Sequence, residues 1–313
     1  MLELKQIPLV SVVLTTYNGE SFLRAQLDSL IQQSYPHIEI IAVDDRSSDN
    51  TVSILKEYAL NNDIFKVFVN EVNLGYIKNF EKACGLAEGE FIALCDQDDV
   101  WHKDKVKSMA ESIGNHGMVY CDSLICNKNL QEGKKLSKMV NFRSRYSCLE
   151  VTVFCRIYGN ATLFKKSLLL AAYPFPKCIP HDWWLSYIAT LNGGIKYFDE
   201  ALIYYRQHNA NVIGAIGGRS RKKITENKRQ KKKAEIACIR ERINIFFNTC
   251  PNEISADKKI LSKLFKSYQS FSLFNNILRM ITFFQCYKVL LYVKKRSLLR
   301  KYLFCLKMFV MIK

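Results

Sequence analysis

The sequence predicts an α/β fold with a mostly parallel central sheet, flanking helices and a helical C-terminal appendage. Three observations lead to this prediction. Over the first 120 residues, short runs rich in β-branched residues alternate with helix-like stretches, as in successive βαβ units. The helix-like stretches carry apolar residues at spacings of three and four. Beyond residue 219 the sequence becomes strongly basic and amphipathic, which separates the appendage from the α/β body.

The individual elements follow from this alternation. Strands are predicted at residues 10–14, 38–43, 66–69, 91–94 and 118–120. Helices are predicted between them at residues 21–33, 51–61, 77–87 and 103–113. Further along the chain the pattern predicts an extended run with a helix at 159–171, a helix at 181–191 and a pair of strands near 196–199 and 202–206.

The charge of the chain is divided unevenly between the two parts. The 313 residues carry a formal charge of +17. Residues 221–313 hold 23 Lys and Arg against 5 Asp and Glu, a net charge of +18, so the first 220 residues carry −1. Basic amphipathic helices are typical of membrane-surface binding, and we expect this region to meet an anionic membrane. The alternative is that its apolar residues pack on the body and leave a solvated basic face. Nucleic-acid binding is disfavoured because no reader motif accompanies the charge.

The cysteines and the apolar segments bear on the compartment. Eleven cysteines include no CxxC pair, and many lie in apolar runs, which favours a reducing, cytoplasmic location. The first eight residues lack the pattern of a secretory signal. The most apolar stretch, residues 271–293, is interrupted by Asn, Arg, Gln and Lys, so we do not expect it to span a membrane. We therefore expect a cytoplasmic protein, peripherally associated with the inner face of the cell membrane.

Two acidic clusters follow predicted strands. Asp44 and Asp45 end one strand, and the segment CDQDDVW (95–101) follows another. Ligands of open α/β sheets bind beyond the carboxyl ends of the strands, so the two clusters could share one site. Three carboxylates within four residues could hold a hard divalent cation, Mg²⁺ or Mn²⁺, against a diphosphate. The alternative is a solvated turn in which Asp98 or Asp99 caps the next helix.

Four motifs occur in order at strand ends. They are SVVLTTYNGE (11–20), VDDRSSDNT (43–51), NLGYIKNF (73–80) and CDQDDVW (95–101). In order and spacing they resemble the nucleotide-sugar domain of glycosyltransferase family 2, which has a GT-A fold. The resemblance implies that Thr15 and Tyr17 line the base pocket and that Asp45 contacts a pyrimidine. Aromatic faces stack on bases, and a carboxylate can accept from the imide N–H. Arg46 stands where the family usually has Gly, which leaves the geometry of that turn open.

The same resemblance assigns roles to residues 96–99, which we call the acidic turn, and to the loop before the third helix. It implies that Asp96 meets the donor ribose or the metal, that Asp98 is the main metal ligand, and that Asp99 can substitute for it. Asn73 and Asn79 would lie in the loop near the nucleotide. A helix-capping role is the alternative for Asn73, because Asn is frequent in turns.

A later motif, PHDWWL (180–185), places a carboxylate in the first turn of a predicted helix. Asp182 resembles the family's catalytic base. In an inverting transfer one carboxylate must take the proton of the attacking acceptor hydroxyl. The alternative is an N-terminal Asp that interacts with the helix dipole. Trp183 and Trp184 are either core residues or, for one of them, a platform for a sugar ring.

The segment YRQHNANVIG (205–214) closes the resemblance. His208 is either a metal ligand or a hydrogen-bonded structural histidine. Arg206 could offset the charge of the diphosphate.

Together the motifs resemble the family 2 subgroup that contains rhamnosyltransferases of bacterial surface polysaccharides. We expect a GT-A domain at 1–218, with a nucleotide-sugar half at about 8–120 and an acceptor half at about 121–218, and a basic helical region at 219–313. Residues 131–156 lack a clear period, and we interpret them as a mobile or acceptor-facing insertion.

The resemblance implies an inverting, metal-dependent transfer of rhamnose from dTDP-rhamnose to a lipid-linked oligosaccharide, in the synthesis of O-antigen, capsule or another surface polysaccharide. Two other functions compete with it. A nucleotidyltransferase would need a Gly- and Lys-rich loop at the first strand, which TTYNGE does not provide. A non-catalytic nucleotide- or membrane-binding protein would be indifferent to the loss of Asp182.

Overall fold

The computed structural model describes residues 7–207, 228–293 and 295–312. In the first half of the chain, strands and helices alternate as predicted. The elements are β1 (Val10–Thr16), α1 (Glu20–Ile31), β2 (Ile38–Asp44), α2 (Thr51–Asn61), β3 (Phe65–Val69), α3 (Tyr76–Leu86), β4 (Phe91–Asp96), β5 (Val100–Trp101), α4 (Lys105–Ser112) and β6 (Met118–Cys126).

The second half of the body is less regular, and the C-terminal region is helical. The body continues with β7 (Glu132–Lys135), α5 (Leu149–Thr152), β8 (Thr162–Lys165), α6 (Leu169–Ala172), α7 (His181–Leu191) and β9 (Ile195–Arg206). The described part of the C-terminal region forms α8 (Lys228–Thr249), α9 (Ser255–Tyr268), α10 (Leu273–Leu290) and α11 (Leu298–Lys307). None of the described helices is both long and apolar enough to cross a membrane.

The described strands form a single nine-stranded sheet. Its order is β3-β2-β1-β4-β8-β6-β9-β5, with β7 added to β6. Strands β1 to β4 are parallel, whereas β8 runs antiparallel between β4 and β6. Because parallel strands end at the same edge, the acidic segments that follow β2 and β4 are brought together. The predicted mostly parallel sheet with flanking helices is confirmed.

The predicted pair of strands near 196–199 and 202–206 is wrong. Residues 195–206 form the single strand β9, which pairs with β6 along its length and with β5 through its second half. Asp199 and Glu200 are exposed, and the register with β6 shifts beside them. Two exposed acidic residues in mid-strand therefore imitate a turn in the sequence.

The stretch at 131–156 is packed, and we do not retain its interpretation as a mobile insertion. Strand β7 pairs with β6, and Arg145 is completely buried between the rings of Tyr120 and Tyr292. The Asn141 backbone N–H also donates to the Val293 carbonyl oxygen (3.2 Å). These contacts are distant in sequence, so the local pattern could not indicate them.

The C-terminal helices share a core with the α/β body. Phe246 of α8 stacks on Tyr187 of α7 with ring centroids 4.0 Å apart, and the Tyr187 hydroxyl donates to the Phe246 carbonyl oxygen (2.6 Å). Ile239 and Ile243 of α8 belong to the same buried cluster as residues of the sheet. Many apolar residues of this region therefore pack on the body, as the alternative interpretation of the sequence had it, while others remain exposed.

Candidate active site

The candidate site lies at the carboxyl edge of β1, β2 and β4. The register of the sheet places Thr15 opposite Asp96 and Thr16 opposite Asp44. Residues 16–20, 45–50 and 96–99 leave the sheet at this edge, so three of the four motifs meet there. The fourth motif, before and within α3, is tied to them through Asp45.

Asp45 is buried and connects β2 to the loop before α3. Its carboxylate accepts from the backbone N–H groups of Leu74 (2.7 Å) and Gly75 (2.9 Å) and from Asn70 Nδ2 (2.9 Å). An ionised carboxylate offers about four acceptor positions, so one remains for an N–H of a ligand. Asp45 can therefore both shape this loop and meet a base.

Of the two asparagines predicted to lie in the loop, Asn73 does so, whereas Asn79 lies in the first turn of α3. The Asn73 side chain donates to the Asp45 carbonyl oxygen (2.9 Å) and accepts from the Gly75 N–H (3.2 Å). It does not cap α3, whose first residue follows Gly75. Asn79 is buried, donates to the Val43 carbonyl oxygen (3.0 Å) and accepts from Asn70 (2.8 Å). Asn79 thus supports the loop from beneath.

Tyr17 presents a half-exposed ring at the edge, and Gln97 fixes its backbone. The Tyr17 N–H donates to Gln97 Oε1 (2.8 Å), and Gln97 Nε2 donates to the Tyr17 carbonyl oxygen (3.0 Å). A Cβ atom at Gly19 would collide with the Gln97 side chain. Gln97 thus links the base-pocket loop to the acidic turn. Its place between Asp96 and Asp98 was a signal that our sequence analysis missed.

The structure resolves the turn that contains Arg46. Arg46 is exposed and adopts a φ of +66°, the left-handed conformation that glycine takes without steric cost. The turn is held by Asp44, whose carboxylate accepts from the Ser47 N–H (2.7 Å) and the Thr16 hydroxyl (2.7 Å). Arg46 therefore preserves the backbone geometry expected of the usual glycine.

The acidic turn contains carboxyl groups in two different environments. Burial, together with the negative charges of Asp98 and Asp182, raises the pKa of Asp96 to about 7. Asp99 is completely buried, and its carboxylate accepts from the Asn160 amide and the Arg206 N–H (3.0 Å). Burial and the charges of Asp98 and Asp96 raise the pKa of Asp99. Asp99 therefore anchors the end of β9. Helix α4 begins after Asp104, so neither Asp98 nor Asp99 caps it.

A buried lysine lies beneath this turn. The Lys105 side chain is completely buried, with Nζ 3.0 Å from the centroid of the Trp101 ring. Burial lowers its pKa to about 8, while the charges of Asp99 and Asp96 are among those that oppose this decrease. Lys105 places positive charge next to the carboxylates. The sequence analysis assigned it no role, since its position depends on the fold.

Asp182 lies in the first turn of α7 and faces the acidic turn closely enough for its charge to raise the pKa of Asp96. Burial raises the pKa of Asp182 itself to about 6, although the N–H groups of Trp183 and Gly159 donate to it and oppose the increase. The Trp183 N–H to Asp182 Oδ1 distance is 2.7 Å. The carboxylate is therefore accessible to proton exchange near neutral pH.

His181 supports this turn as a neutral ring. It stacks on Phe80 with centroids 3.9 Å apart, and burial lowers its pKa to about 3. A Cβ atom at Gly159 would lie 2.9 Å from His181 Nε2, so glycine is needed for the close approach. Phe80, His181 and Gly159 thus fix the start of α7 against α3.

Both tryptophans of the motif are packed against their surroundings. The Trp183 indole N–H donates to the Val151 carbonyl oxygen, and the Arg242 guanidinium lies 4.1 Å from the centroid of its ring. The Trp184 indole N–H donates to the Ala172 carbonyl oxygen (2.7 Å). One face of Trp183 is therefore occupied by α8, and a sugar platform on its remaining surface stays a prediction.

Arg206 approaches the acidic turn from β9. Its guanidinium donates to the Lys128 carbonyl oxygen (3.2 Å) and lies 4.8 Å from the centroid of the Phe22 ring. Burial lowers its pKa, while the negative charges of Asp98 and Asp99 oppose the decrease. Arg206 is thus beside the carboxylates. His208 lies outside the described residues.

The donor set fits a hard divalent cation. Within residues 7–207, 228–293 and 295–312, no group of three or more His, Cys, Asp or Glu side chains is arranged to hold a metal. Asp96 and Asp98, however, provide two carboxylates whose mutual repulsion is evident in the raised pKa of Asp96. Mg²⁺ is commonly held by one or two carboxylates with diphosphate oxygens and water. The residues present fit such an ion.

The sheet is mostly parallel, and carboxylates converge at its carboxyl edge, where α/β enzymes bind nucleotides. This arrangement is typical of an α/β group-transfer enzyme. The profile of glycosyl transferase family 2 matches residues 11–169, half of the chain, and the chain belongs to this family. It is a glycosyltransferase, and this assignment selects one of the three functions considered from the sequence.

Several bacterial proteins are similar to this chain. The dTDP-rhamnosyl transferase RfbG of Shigella flexneri is 30% identical over 216 residues, which cover 64% of this chain and 74% of that protein. The glucosyltransferase WfgD of Escherichia coli, named for UDP-Glc and a diphosphoundecaprenol-linked sugar, is 29% identical over 59% of this chain and 71% of its own length.

Solved structures show the same fold. S. aureus TarS 1–349 in complex with UDP-GlcNAc superposes with a TM-score of 0.62 at 21% identity, covering 96% of this chain and 80% of that one. The mannosyltransferase PcManGT of Pyrobaculum calidifontis, in complex with GDP-Man and Mn²⁺, has a TM-score of 0.54 at 15% identity and covers 96% and 79%. These similarities confirm the predicted GT-A fold, including the C-terminal helices in the superposed part.

Proposed function

We propose that this glycosyltransferase inverts the donor sugar, depends on a divalent metal and transfers rhamnose from dTDP-rhamnose to a lipid-linked oligosaccharide in the synthesis of a bacterial surface polysaccharide. The observation that carries the proposal is the approach of Asp182 to Asp96 of the acidic turn. One site would then contain both a proton acceptor and an acidic turn that faces the diphosphate, as a direct displacement requires.

Asp182 is the general base of the proposed reaction. It takes the proton of the acceptor hydroxyl as the oxygen attacks the anomeric carbon, opposite to the departing diphosphate. A base with a pKa of about 6 is mostly ionised at neutral pH and is a stronger base than an ordinary aspartate. The N–H groups of Trp183 and Gly159 orient its carboxylate.

The acidic turn binds the metal ion on the side of the leaving diphosphate. Asp98 is the main metal ligand, Asp96 the second, and His208 a further candidate. When bound, Mg²⁺ or Mn²⁺ neutralises charge on the leaving diphosphate. Arg206 adds a guanidinium beside Asp98, and Lys105 adds a buried ammonium beneath the turn. Asp99 holds the turn to β9 and Asn160 and is not needed as a ligand.

The nucleotide occupies the edge between Tyr17 and Asp45. Tyr17 offers a half-exposed aromatic face, and Asp45 has one acceptor position left for the imide N–H of thymine or uracil. Thr15 lies in β1 opposite Asp96. These contacts favour a pyrimidine nucleotide but do not separate dTDP from UDP. The preference for dTDP-rhamnose rests on similarity to the Shigella flexneri transferase.

The acceptor and the location follow from the relatives and the charge. The glucosyltransferase WfgD is named for a polyprenyl-diphosphate acceptor, and a lipid-linked acceptor resides at a membrane surface. The basic C-terminal region, net charge +18 over residues 221–313, would hold the enzyme at the anionic inner face of the cell membrane.

A donor panel tests the proposal. Purified full-length protein is incubated with dTDP-rhamnose, UDP-glucose, UDP-GlcNAc and GDP-mannose, with a lipid extract as acceptor and with Mg²⁺, Mn²⁺ or EDTA. Release of nucleoside diphosphate is measured. We expect turnover with dTDP-rhamnose that EDTA abolishes. Turnover with another donor would change only the identity of the donor sugar in the proposal. Turnover without a metal would contradict the role of the acidic turn.

A further inference from the structure

The outer face of the helix pair α10–α11 carries an unusual number of exposed apolar side chains. These exposed side chains include Leu273, Phe274 and Ile277 of α10 and Leu299, Leu303 and Leu306 of α11. We call this set the outer face. Phe274 is 73% exposed and Leu299 is 68% exposed, so neither is needed to complete the core. Contiguous exposed apolar patches mark interaction surfaces.

The two helices present these residues on one side. They run antiparallel, since Phe283 packs on Phe304 with centroids 6.2 Å apart and Arg279 Nε donates to the Met308 carbonyl oxygen (2.6 Å). Phe283, Phe304 and Met308 face the shared core. The outer face lies on the opposite side of the pair, and its residues recur at spacings of three and four along each helix.

The charged residues of α10, α11 and the segment between them have a single sign. Between residues 258 and 313 the sequence contains 13 Lys and Arg and no Asp or Glu. Arg296 and Arg300 are exposed and lie just before and within the first turn of α11, next to its apolar residues. A second copy of the chain would bring these like charges together, which opposes self-association. An anionic surface complements them.

The outer face is connected to the catalytic body through α8. Arg240 of α8 donates through Nε to the Tyr268 carbonyl oxygen (2.7 Å), and its guanidinium lies 5.6 Å from the centroid of the Phe271 ring, two residues before α10. Arg242 of the same helix lies on Trp183, the neighbour of Asp182. A surface held at α10 is therefore linked by continuous contacts through α8 to the start of α7.

We infer that the outer face of α10–α11 docks on an anionic phospholipid bilayer. Its apolar side chains enter the interface between headgroups and acyl chains, and Arg296 and Arg300 contact the lipid phosphates. The inference rests on the proposed function only for the purpose of docking, which is to bring Asp182 to a lipid-linked acceptor. It also narrows the docking surface from the whole basic region, residues 221–313, to a face that combines charge with apolar area.

Vesicle sedimentation of the full-length chain tests the inference. Vesicles of phosphatidylcholine alone are compared with vesicles that also contain phosphatidylglycerol. The double variant Phe274→Gln, Leu299→Gln should lower the partition coefficient by about ten-fold or more, because two large apolar side chains no longer enter the interface. Arg296→Gln, Arg300→Gln should lower binding by about ten-fold on phosphatidylglycerol vesicles and little on phosphatidylcholine alone.

The control carries two apolar-to-Gln changes elsewhere. Leu60 on α2 is 86% exposed and Leu170 on α6 is 89% exposed, so Leu60→Gln, Leu170→Gln removes apolar side chains that are at least as exposed from the body. This control should bind vesicles like the wild type. Equal loss in the control, or unchanged binding in the face variant, would overturn the inference. A face variant that alters only the sedimentation velocity of the chain would identify a self-association surface and would also overturn it.

The assay separates this inference from the proposed function. Vesicle binding requires no donor, so it can persist even if no nucleotide sugar is turned over. Conversely, the face variant should retain metal-dependent release of nucleoside diphosphate with a water-soluble acceptor and lose it only with a vesicle-embedded one.

Discussion

The carboxylate site and the C-terminal region use charge in opposite ways. At the site, Asp45, Asp96, Asp98 and Asp182 come from distant segments and are brought together by the topology of the sheet. Burial then raises the pKa of Asp96 to about 7 and that of Asp182 to about 6. In the C-terminal region, positive charges are close in sequence, and most of those at the start of α8 and around α11 remain exposed.

The contrast separates buried charged groups, which can take part in proton transfer, from exposed charged groups, which can only attract an oppositely charged surface. A buried carboxyl group changes its proton affinity because water no longer stabilises its ionised form. An exposed lysine keeps its ordinary charge and acts on a surface through the sum of many weak contacts. Substitutions at the site should therefore change rates, and substitutions in the C-terminal region should change stability or surface binding.

The largest expected effect is on the rate of transfer by Asp182→Asn. Loss of the general base should lower kcat by about a thousand-fold or more, because the acceptor hydroxyl then has no proton acceptor. Donor affinity should be retained, since Asp182 acts on the acceptor side. Single-turnover measurements and donor titration check the two parts. Residual activity within ten-fold of the wild type would assign the base to another residue.

Phe246→Ala tests whether the C-terminal region is a separate appendage. The side chain is completely buried against Tyr187, so truncation should lower the free energy of unfolding by about 3 to 5 kcal/mol. Urea denaturation measures this effect. Phe274→Ala, at an exposed position of the same region, should change it by less than about 0.5 kcal/mol. Equal small effects would mean that the region does not share the core, and a chain ending at residue 218 would then be expected to fold.

Asp98→Asn tests the metal site. The concentration of Mg²⁺ or Mn²⁺ needed for half-maximal activity should rise by at least the ten- to hundred-fold that loss of a supporting group typically causes. Metal titration of turnover measures it. Asp63→Asn, an exposed change before β3 at the opposite edge of the sheet, should leave the titration unchanged. An unaltered titration in Asp98→Asn would remove this residue from the ligand set.

The smallest expected effect concerns Arg46. Its φ of +66° is unfavourable for a residue with a Cβ atom, so Arg46→Gly should stabilise the chain by up to about 1 kcal/mol. Thermal denaturation compares it with Arg46→Ala, which removes the charge and keeps the strain. If both variants shift the midpoint equally, the charge of Arg46 rather than its backbone controls the turn.

The parts of the fold that sequence could predict are those set by local patterns. Strands β1 to β4 and helices α1 to α3 and α7 were predicted within a few residues, because each has its own periodicity. Asp45, Asp96 and Asp182 were found because the motifs that carry them are contiguous. Their assigned roles stay predictions.

The remainder depends on contacts between distant segments. Lys105 beneath the acidic turn and Arg145 between Tyr120 and Tyr292 have no local pattern that indicates their burial. The exposed Asp199 and Glu200 imitated a turn for the same reason. The α10 part of the outer face lies within residues 271–293, the interrupted apolar stretch, and the sequence does not indicate which side of this helix packs.

The pH dependence of kcat tests the central claim most directly, when it is measured at increasing metal concentration. A general base must be deprotonated, so kcat should fall ten-fold per pH unit as the pH decreases below the pKa of Asp182, about 6. Metal competes with protons at Asp96 and should shift any limb that belongs to the acidic turn to lower pH. The account predicts a limb near pH 6 that saturating metal does not move. A limb that moves with metal until it disappears, or one near pH 4, would contradict Asp182 as the buried base.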